Sequence, residues 1–299
     1  MRVKVILNPY ANRWGAKERE TAVITACQSA NLDYDLHVTQ GPGEGIAVAQ
    51  TAAAEGYEAI VAAGGDGTIS EVANGLLAAA PEGVPTATLA IFPIGSANDF
   101  AKMNDCPLDL TLAARQIAGG QTRQLDAGRV TVDGRVHYFI NNSALAMEPM
   151  VTLEHVKIQR ISGEMRYLAA LLRSLIKLKA WQMQITWDDG SYDGPTFLLS
   201  FCNGPRTGGF MMAPGARFDD GLLDYVLAPK VPKMTFIALL LRLLRGTHLT
   251  HPRVLSGRTT KLSIRSQPGT PIHADGEILS ETAVAIEYAV LPGKLTLFT

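Results

Sequence analysis

Cysteine is scarce in this chain. Its three residues, Cys27, Cys106 and Cys202, stand far apart, and none forms a C-x-x-C pair. That pattern argues against a disulfide framework or a cysteine-rich zinc site, and it reads as small apolar side chains buried in a reducing compartment. Charge is sparse as well. Charged residues make up 18% of the chain, against a usual share of about 25%, and the formal net charge is −1. Nothing global therefore draws the protein to nucleic acid, although a local basic patch is compatible with that balance. The start, MRVKVILNPY, has neither a long apolar core nor a cleavage site, so no signal peptide is expected. The most apolar segment, FIALLLRLL at Phe236–Leu244, is interrupted by Arg242 and falls short of the roughly 20 apolar residues of a spanning helix. The expectation is a soluble, cytoplasmic protein that at most touches a membrane surface. Three phosphate-handling signatures are missing too. There is no G-x-x-x-x-G-K-[ST], no G-x-G-x-x-G, and neither H-R-D nor D-F-G, which sets aside P-loop enzymes, the common dinucleotide fingerprint and protein kinases.

What is present is a core-forming chain of 299 residues, 47% of them hydrophobic, enough for two ordinary domains or one large one. The first part alternates short apolar runs with helical stretches. Strands are expected at 3–7, 34–38, 58–63 and 89–94, and helices at about 16–30, 45–55, 69–79 and from Asn98. Strands joined by helices of this length imply βαβ units and a parallel sheet. Near Asp126 the character changes. Runs at 129–132 and 136–140 flank Asp133-Gly134 as a hairpin. Further strand-like runs follow at 181–187, 196–202, 222–227, 261–264 and 284–288, broken by helical segments at about 165–178 and 233–244. The reading is an α/β N-terminal domain with a parallel sheet over 1–125, then a mainly β, sandwich-like C-terminal domain over 126–299. The last strand is left open to return to the first domain.

Two strand-to-helix turns carry the chemistry. GGDGT at Gly64–Thr68 lies between a strand and a helix. Glycines let the backbone approach a phosphate, and the helix start offers N–H groups and a positive dipole end. Thr68 adds a hydroxyl. Asp66 would repel a phosphate, so it engages Mg²⁺, orients other groups, or merely caps the helix. A second turn, Gly95-Ser96-Ala97-Asn98-Asp99-Phe100, follows the next strand pattern. Two such turns at the carboxyl ends of parallel strands can flank one crevice.

These residues resemble the diacylglycerol kinase catalytic-domain family, which includes bacterial lipid kinases and sphingosine kinases. GGDGT followed by Glu71 is similar to its nucleotide signature, and IFPIGSANDFA (91–101) to its second motif. FCNGPRTGG (201–209) with APGARFDDGLLD (213–224) is similar to its central segment, and HADGE (273–277) to its C-terminal D-G-E. The motifs stand in family order across nearly the whole chain. GGDGT alone is shared with NAD kinases and phosphofructokinase-like folds. The resemblance implies an NAD kinase/diacylglycerol kinase-like fold with the active site in the cleft between two domains. It implies ATP held by Gly65, Asp66, Gly67, Thr68, Ile69, Ser70 and Glu71, with contacts from Thr39 and Ser96. It also implies Glu277 as proton acceptor, and Mg²⁺ on the Asp220 side chain with the carbonyls of Arg217 and Leu222. The chain departs from the family pattern at Ser96, Ser70 and Phe210, and in Asn141–Met150, which lacks the usual glycines.

Phosphoryl transfer to an alcohol needs positioning, charge neutralisation and a proton acceptor. Asp275 and Glu277 flank Gly276, and in an extended strand they would point the same way. One would be the base while the other orients it or binds metal, and the resemblance favours Glu277. Asp219, Asp220 and Asp224 are hard oxygen donors suited to Mg²⁺ or Ca²⁺, although composition alone favours a D-D-G turn between strands. His273 reads as a structural or surface residue rather than a catalytic one. Arg166, Arg173, Lys177 and Lys179, then Lys233, Arg242 and Arg245, stand among leucines. Such helices either pack on a core with a solvated basic face or lie on anionic lipid. The expected function is ATP- and Mg²⁺-dependent phosphorylation of a lipid hydroxyl, diacylglycerol-like or sphingoid. An NAD kinase-like enzyme with a soluble acceptor and a non-catalytic nucleotide or lipid sensor are the rivals. A homodimer is left open.

Overall fold

The computed structural model describes residues 1–11, 18–80, 83–158 and 164–299, with the backbone alone at 155–156 and 164–168. Positions 16–17 of the helix expected at 16–30, and the Arg166 side chain, lie outside the described residues. The chain divides into two compact units. The first is Met1–Ala127 with Phe218–Asp220 and Leu291–Thr299, and the second is Gly128–Arg217 with Gly221–Val290.

In the first unit, strands β1 (Arg2–Leu7), β2 (Asp33–Val38), β3 (Ala59–Gly64) and β4 (Thr88–Pro93) run parallel in the order β2-β1-β3-β4. The end of a long last strand, Glu277–Phe298, joins β4 in parallel, with Leu297 opposite Leu89. Every residue of β3, AIVAAG, is buried, as a parallel strand covered on both faces must be. Helices α1 (Glu20–Ser29), α2 (Glu44–Ala54), α3 (Asp66–Ala79), α4 (Asp99–Met103) and α5 (Leu110–Gly119) connect the strands. Val23 and Cys27 of α1, with Ala114 and Ile117 of α5, pack on Val3, Val5, Val61 and Phe92. Helices α2 and α3 touch closely at Gly75, where a Cβ would strike the Ile46 carbonyl and come within 2.7 Å of Ala49 Cβ. Burial holds the thiols of Cys27 and Cys106 protonated, raising them to about 11.

The second unit is β-rich. Its strands are β5 (Thr122–Val132, from Gly128 on), β6 (Arg135–Phe139), β7 (Asn142–Ala146), β8 (Trp181–Trp187) and β9 (Gly190–Cys202). They continue as β10 (Leu223–Pro229), β11 (Leu255–Thr259), β12 (Lys261–Ala274) and β13, the first part of Glu277–Phe298. The antiparallel order is β11-β10-β9, then β7 and β8 in one lane between β9 and β12, then β13. The expected β5–β6 hairpin turns through Asp133 and Gly134 at φ 47° and 86°, the left-handed pair of a type I′ turn. Strand β8 buries Trp181, Met183 and Ile185 and exposes Gln182, Gln184 and Thr186, the period-2 pattern of a half-buried strand. Those three residues join Phe139, Phe201 and Tyr288 in one core. Helices α6 (Met147–Lys157), α7 (Glu164–Ile176) and α8 (Lys233–Leu243) contribute to a second cluster, with Phe197, Leu198 and Val226.

Candidate functional site

The first set of predicted residues sits at the carboxyl ends of β3 and β4. The adjacent strands bring the two glycine turns together: the Ile94 N–H donates to the Gly64 carbonyl at 3.0 Å. A Cβ on Gly65 would lie 3.2 Å from Gly95 Cα, so bare backbone is what lets the turns meet. Asp66 Oδ1 accepts from the Phe100 N–H at 2.9 Å. The acid therefore reaches across to the start of α4, favourable placement for a negative charge. Asn98, left-handed at φ 52°, closes the second turn by accepting from Gly95 N–H at 3.0 Å. Gly67 and Ser96 are exposed, while Thr68, Ile69 and Ser70 are buried. Gly65 caps α3 without any side-chain hydrogen bond, which suits an anion at the first turn. Two of the remaining predicted ligands turn out to hold backbone. Glu71 accepts from Gly43 N–H at 2.9 Å and Gly45 N–H at 3.0 Å, fixing the loop in which Gly43 has φ 82°. Thr39 is buried and donates to the Leu7 carbonyl at 3.3 Å. Ser70 receives the Asn74 amide.

Asn8 was not foreseen. Its amide donates to Thr68 Oγ1 at 3.0 Å and its oxygen accepts from Tyr10 N–H. A polar side chain at the carboxyl end of a parallel strand was the available signal.

The second set lies in the other unit, on the turn between β12 and β13. Asp275 and Gly276 adopt φ 46° and 87°, a type I′ turn. This corrects the expectation that Asp275 and Glu277 project together from an extended strand. Asp275 instead accepts from three successive backbone N–H groups, Ile140 at 2.9 Å, Asn141 at 3.0 Å and Asn142 at 2.9 Å. Glu277 opens β13 opposite Ala274 and its side chain is exposed. Its charge reaches His137, whose pKa burial pushes down while Glu277 opposes that shift.

Behind the turn lies a buried polar network. His273 Nδ1 accepts from Gly276 N–H at 3.2 Å. Its Nε2 stands 3.3 Å from Glu148 Oε1, off the hydrogen-bond axis. Glu148 Oε1 also accepts from Asn142 Nδ2 at 2.8 Å and Thr207 Oγ1 at 3.2 Å. Burial pushes the Glu148 acid up, but His273, Asn142 and Ser200 outweigh it and hold the pKa below the ordinary carboxylate value. The chain enters this region through Ala146 at φ 68°, a conformation that favours glycine. His273 is buried rather than on the surface, beside Glu148, and Thr207 joins the network through Glu148; composition revealed neither neighbour.

The stretch 217–222 forms a turn, with Gly221 at φ 71°. Its Asp220 carboxylate and the Arg217 and Leu222 carbonyls are hard oxygen donors, the kind that Mg²⁺ takes. Among the described residues no three His, Cys, Asp or Glu side chains form a metal cluster, so such an ion would lean on carbonyls and water. Asp224 faces Arg258 at 3.5 Å. A concavity of about 330 Å³ lined by Arg129, Trp187, Lys261 and Tyr288 contains none of the predicted residues.

Residues 2–130 match the diacylglycerol kinase catalytic domain, and residues 144–299 match the YegS C-terminal NAD kinase beta sandwich-like domain. The chain is similar to a diacylglycerol kinase of Bacillus subtilis, 29% identical over 92% of this chain and 89% of that one. It is 31% identical to a Pseudomonas aeruginosa protein named Probable lipid kinase YegS-like, over 98% of this chain and 93% of that one. A crystal structure of a diacylglycerol kinase from Bacillus anthracis superposes with a TM-score of 0.72 at 21% identity, covering 99% and 96% of the two chains. At that identity the likeness speaks for the fold.

Proposed function

The chain belongs to the diacylglycerol kinase catalytic-domain family, and from that premise we propose that it transfers the γ-phosphate of ATP to the hydroxyl of a lipid, diacylglycerol-like in class. The observation that carries the reading is the paired glycine turn, Gly64–Thr68 beside Gly95–Phe100, joined by Ile94 N–H to Gly64 and by Asp66 to Phe100 N–H. Bare backbone and an uncapped helix start suit a polyphosphate. Gly65, Asp66, Gly67, Thr68, Ile69, Ser70 and Ser96 would line the nucleotide, while Glu71 and Thr39 hold the surrounding loops.

In the reaction the acceptor oxygen bonds to the γ-phosphorus as the bond to the bridging oxygen breaks, and ADP leaves. The hydroxyl proton goes to Glu277. The choice of Glu277 over Asp275 is supported by their partners: three amides occupy Asp275, whereas Glu277 is exposed. Asp220 with the Arg217 and Leu222 carbonyls would hold Mg²⁺. When bound, the ion supplies positive charge beside Asp219, Asp220 and Asp224.

The test is transfer of labelled γ-phosphate, with Mg²⁺, to diacylglycerol, monoacylglycerol, phosphatidylglycerol, sphingosine and ceramide in mixed micelles, with NAD as a soluble acceptor. A labelled lipid that disappears in Glu277→Gln is expected. Label on NAD alone would move the protein to a soluble acceptor, and nucleotide binding without transfer to anything would make it a sensor.

A further inference from the structure

Helix α8 is apolar on both sides. Phe236 and Leu239 face inward and are buried. Met234, Ile237, Leu241 and Leu244, spaced i, i+3, i+7 and i+10, share another side of the same helix. They are 75%, 38%, 56% and 61% exposed. A surface helix ordinarily turns polar residues outward; here Thr235 and the flanking cations Lys233, Arg242 and Arg245 are what break the apolar surface. Helix α7 packs on the same cluster and turns out Leu172 and Ile176, the latter 81% exposed, beside Arg173.

The charge of the sequence around α8 is one-sided, although Asp224 faces Arg258 and Glu154 pairs with Lys177 at the end of α7. No Asp or Glu stands between Asp224 and Asp275, while Lys230, Lys233, Arg242, Arg245, Arg253 and Arg258 do. In a chain whose net charge is −1, that is a marked segregation. No helix among the described residues is long and apolar enough to cross a bilayer. Apolar side chains rimmed by cations on a helix that cannot span are the features of an element lying in the interface of an anionic membrane.

We propose that the outer faces of α8 and α7 dock the protein on an anionic bilayer surface, with Met234, Ile237, Leu241 and Leu244 entering the acyl boundary and Lys233, Arg242 and Arg245 meeting the headgroups. The inference deepens the lipid-kinase reading, yet vesicle binding is read without turnover, so the two can fail separately.

The experiment is co-sedimentation of the full chain with phosphatidylcholine vesicles, with and without phosphatidylglycerol. Binding is expected on the anionic vesicles, weakening as salt rises. Arg242→Glu with Arg245→Glu should lower it about tenfold or more, and Leu241→Ser with Leu244→Ser should lower it comparably. All four residues are exposed, so melting and transfer to a short-chain soluble diacylglycerol should stay at wild-type levels. Should the double variants fail to fold, Lys233→Glu and the salt dependence of the wild type decide the matter. Equal binding to both vesicle types, or unchanged binding in folded variants, overturns the proposal. So does a wild-type dimer that Leu241→Ser with Leu244→Ser converts to monomer without loss on vesicles, which would make the face a contact between copies of this chain.

Discussion

The glycine turns of the first unit and the D-G-E turn of the second use acidic residues in different ways. In the first, Asp66 and Glu71 both accept from backbone N–H groups, Phe100 for one and Gly43 and Gly45 for the other. Their charge shapes loops that glycine would otherwise leave loose. In the second, the work is divided. Asp275 gathers the amides of 140–142, while Glu277, two residues on, stays exposed. An acid that already accepts several hydrogen bonds is a poor base, because those bonds stabilise its ionised form. The comparison therefore separates acids held by backbone amides from an exposed one within motifs that look uniform in sequence.

The largest expected effect tests that division directly. Glu277→Gln should cut transfer by roughly 10²- to 10⁴-fold and leave the melting temperature and ATP binding near wild type. Asp275→Ala should do the reverse at first order, costing roughly 3 kcal/mol of stability as three amides lose a charged acceptor, with Asp275→Asn in between. Chemical denaturation and initial rates on the same preparations would separate them. If Asp275→Asn folded normally and lost turnover as completely as Glu277→Gln, the division would be wrong.

A smaller effect should follow from Glu71→Ala, about 1–2 kcal/mol for two hydrogen bonds at a partly exposed site, with weaker ATP binding measured by titration calorimetry. Glu71→Gln should recover part of the loss, since an amide oxygen still accepts. Unchanged nucleotide affinity in the alanine variant would mean that the Gly43 loop is not part of the nucleotide site.

The mildest effect is on pH. Glu148 has its folded pKa below the ordinary 4.5, so as acid is added the unfolded chain takes up the proton first. Its contribution to stability is complete above about pH 4.5 and is lost as pH falls through the lower folded value. Glu148→Gln should be less stable than wild type at pH 7, because His273, the Asn142 amide and the Thr207 hydroxyl lose a charged partner, and its stability should fall less steeply below about pH 4.5. Thermal melts between pH 3.5 and 7, a range of roughly one unit either side of the unfolded value and above, would show the two curves converging in acid.

Much of this architecture was legible. The parallel strands of the first unit announce themselves as short apolar runs ending in glycine or Asn-Pro, and the β5–β6 hairpin as Asp-Gly between alternating residues. Helix α5 went unread, although Asp109 caps it by accepting from Leu112 N–H and Gly120 ends it at φ 72°, both ordinary start and stop signals. Helix α6 was harder. Its sequence, MEPMVTLEHVK, carries a proline in the first turn, and the buried strand before it has no period to distinguish it from helix. Strands β12 and β13 extend well beyond the short runs expected of them, because their polar positions are paired across neighbours that sequence does not bring to mind.

By itself, then, the sequence determined the glycine turns, the acids that accompany them, the order of the motifs and the one-sided charge from 225 to 274, since these depend on local geometry and composition. Only the tertiary structure decided which acid is held by backbone amides and which is left exposed. Asp275 finds its amides 133 to 135 residues away, Asp66 finds Phe100 across a neighbouring strand, and the outer side of α8 stays bare because Phe236 and Leu239 take the inner one. Hydrogen-bond partners and burial are set by what folds against a residue, and no local pattern carries that information.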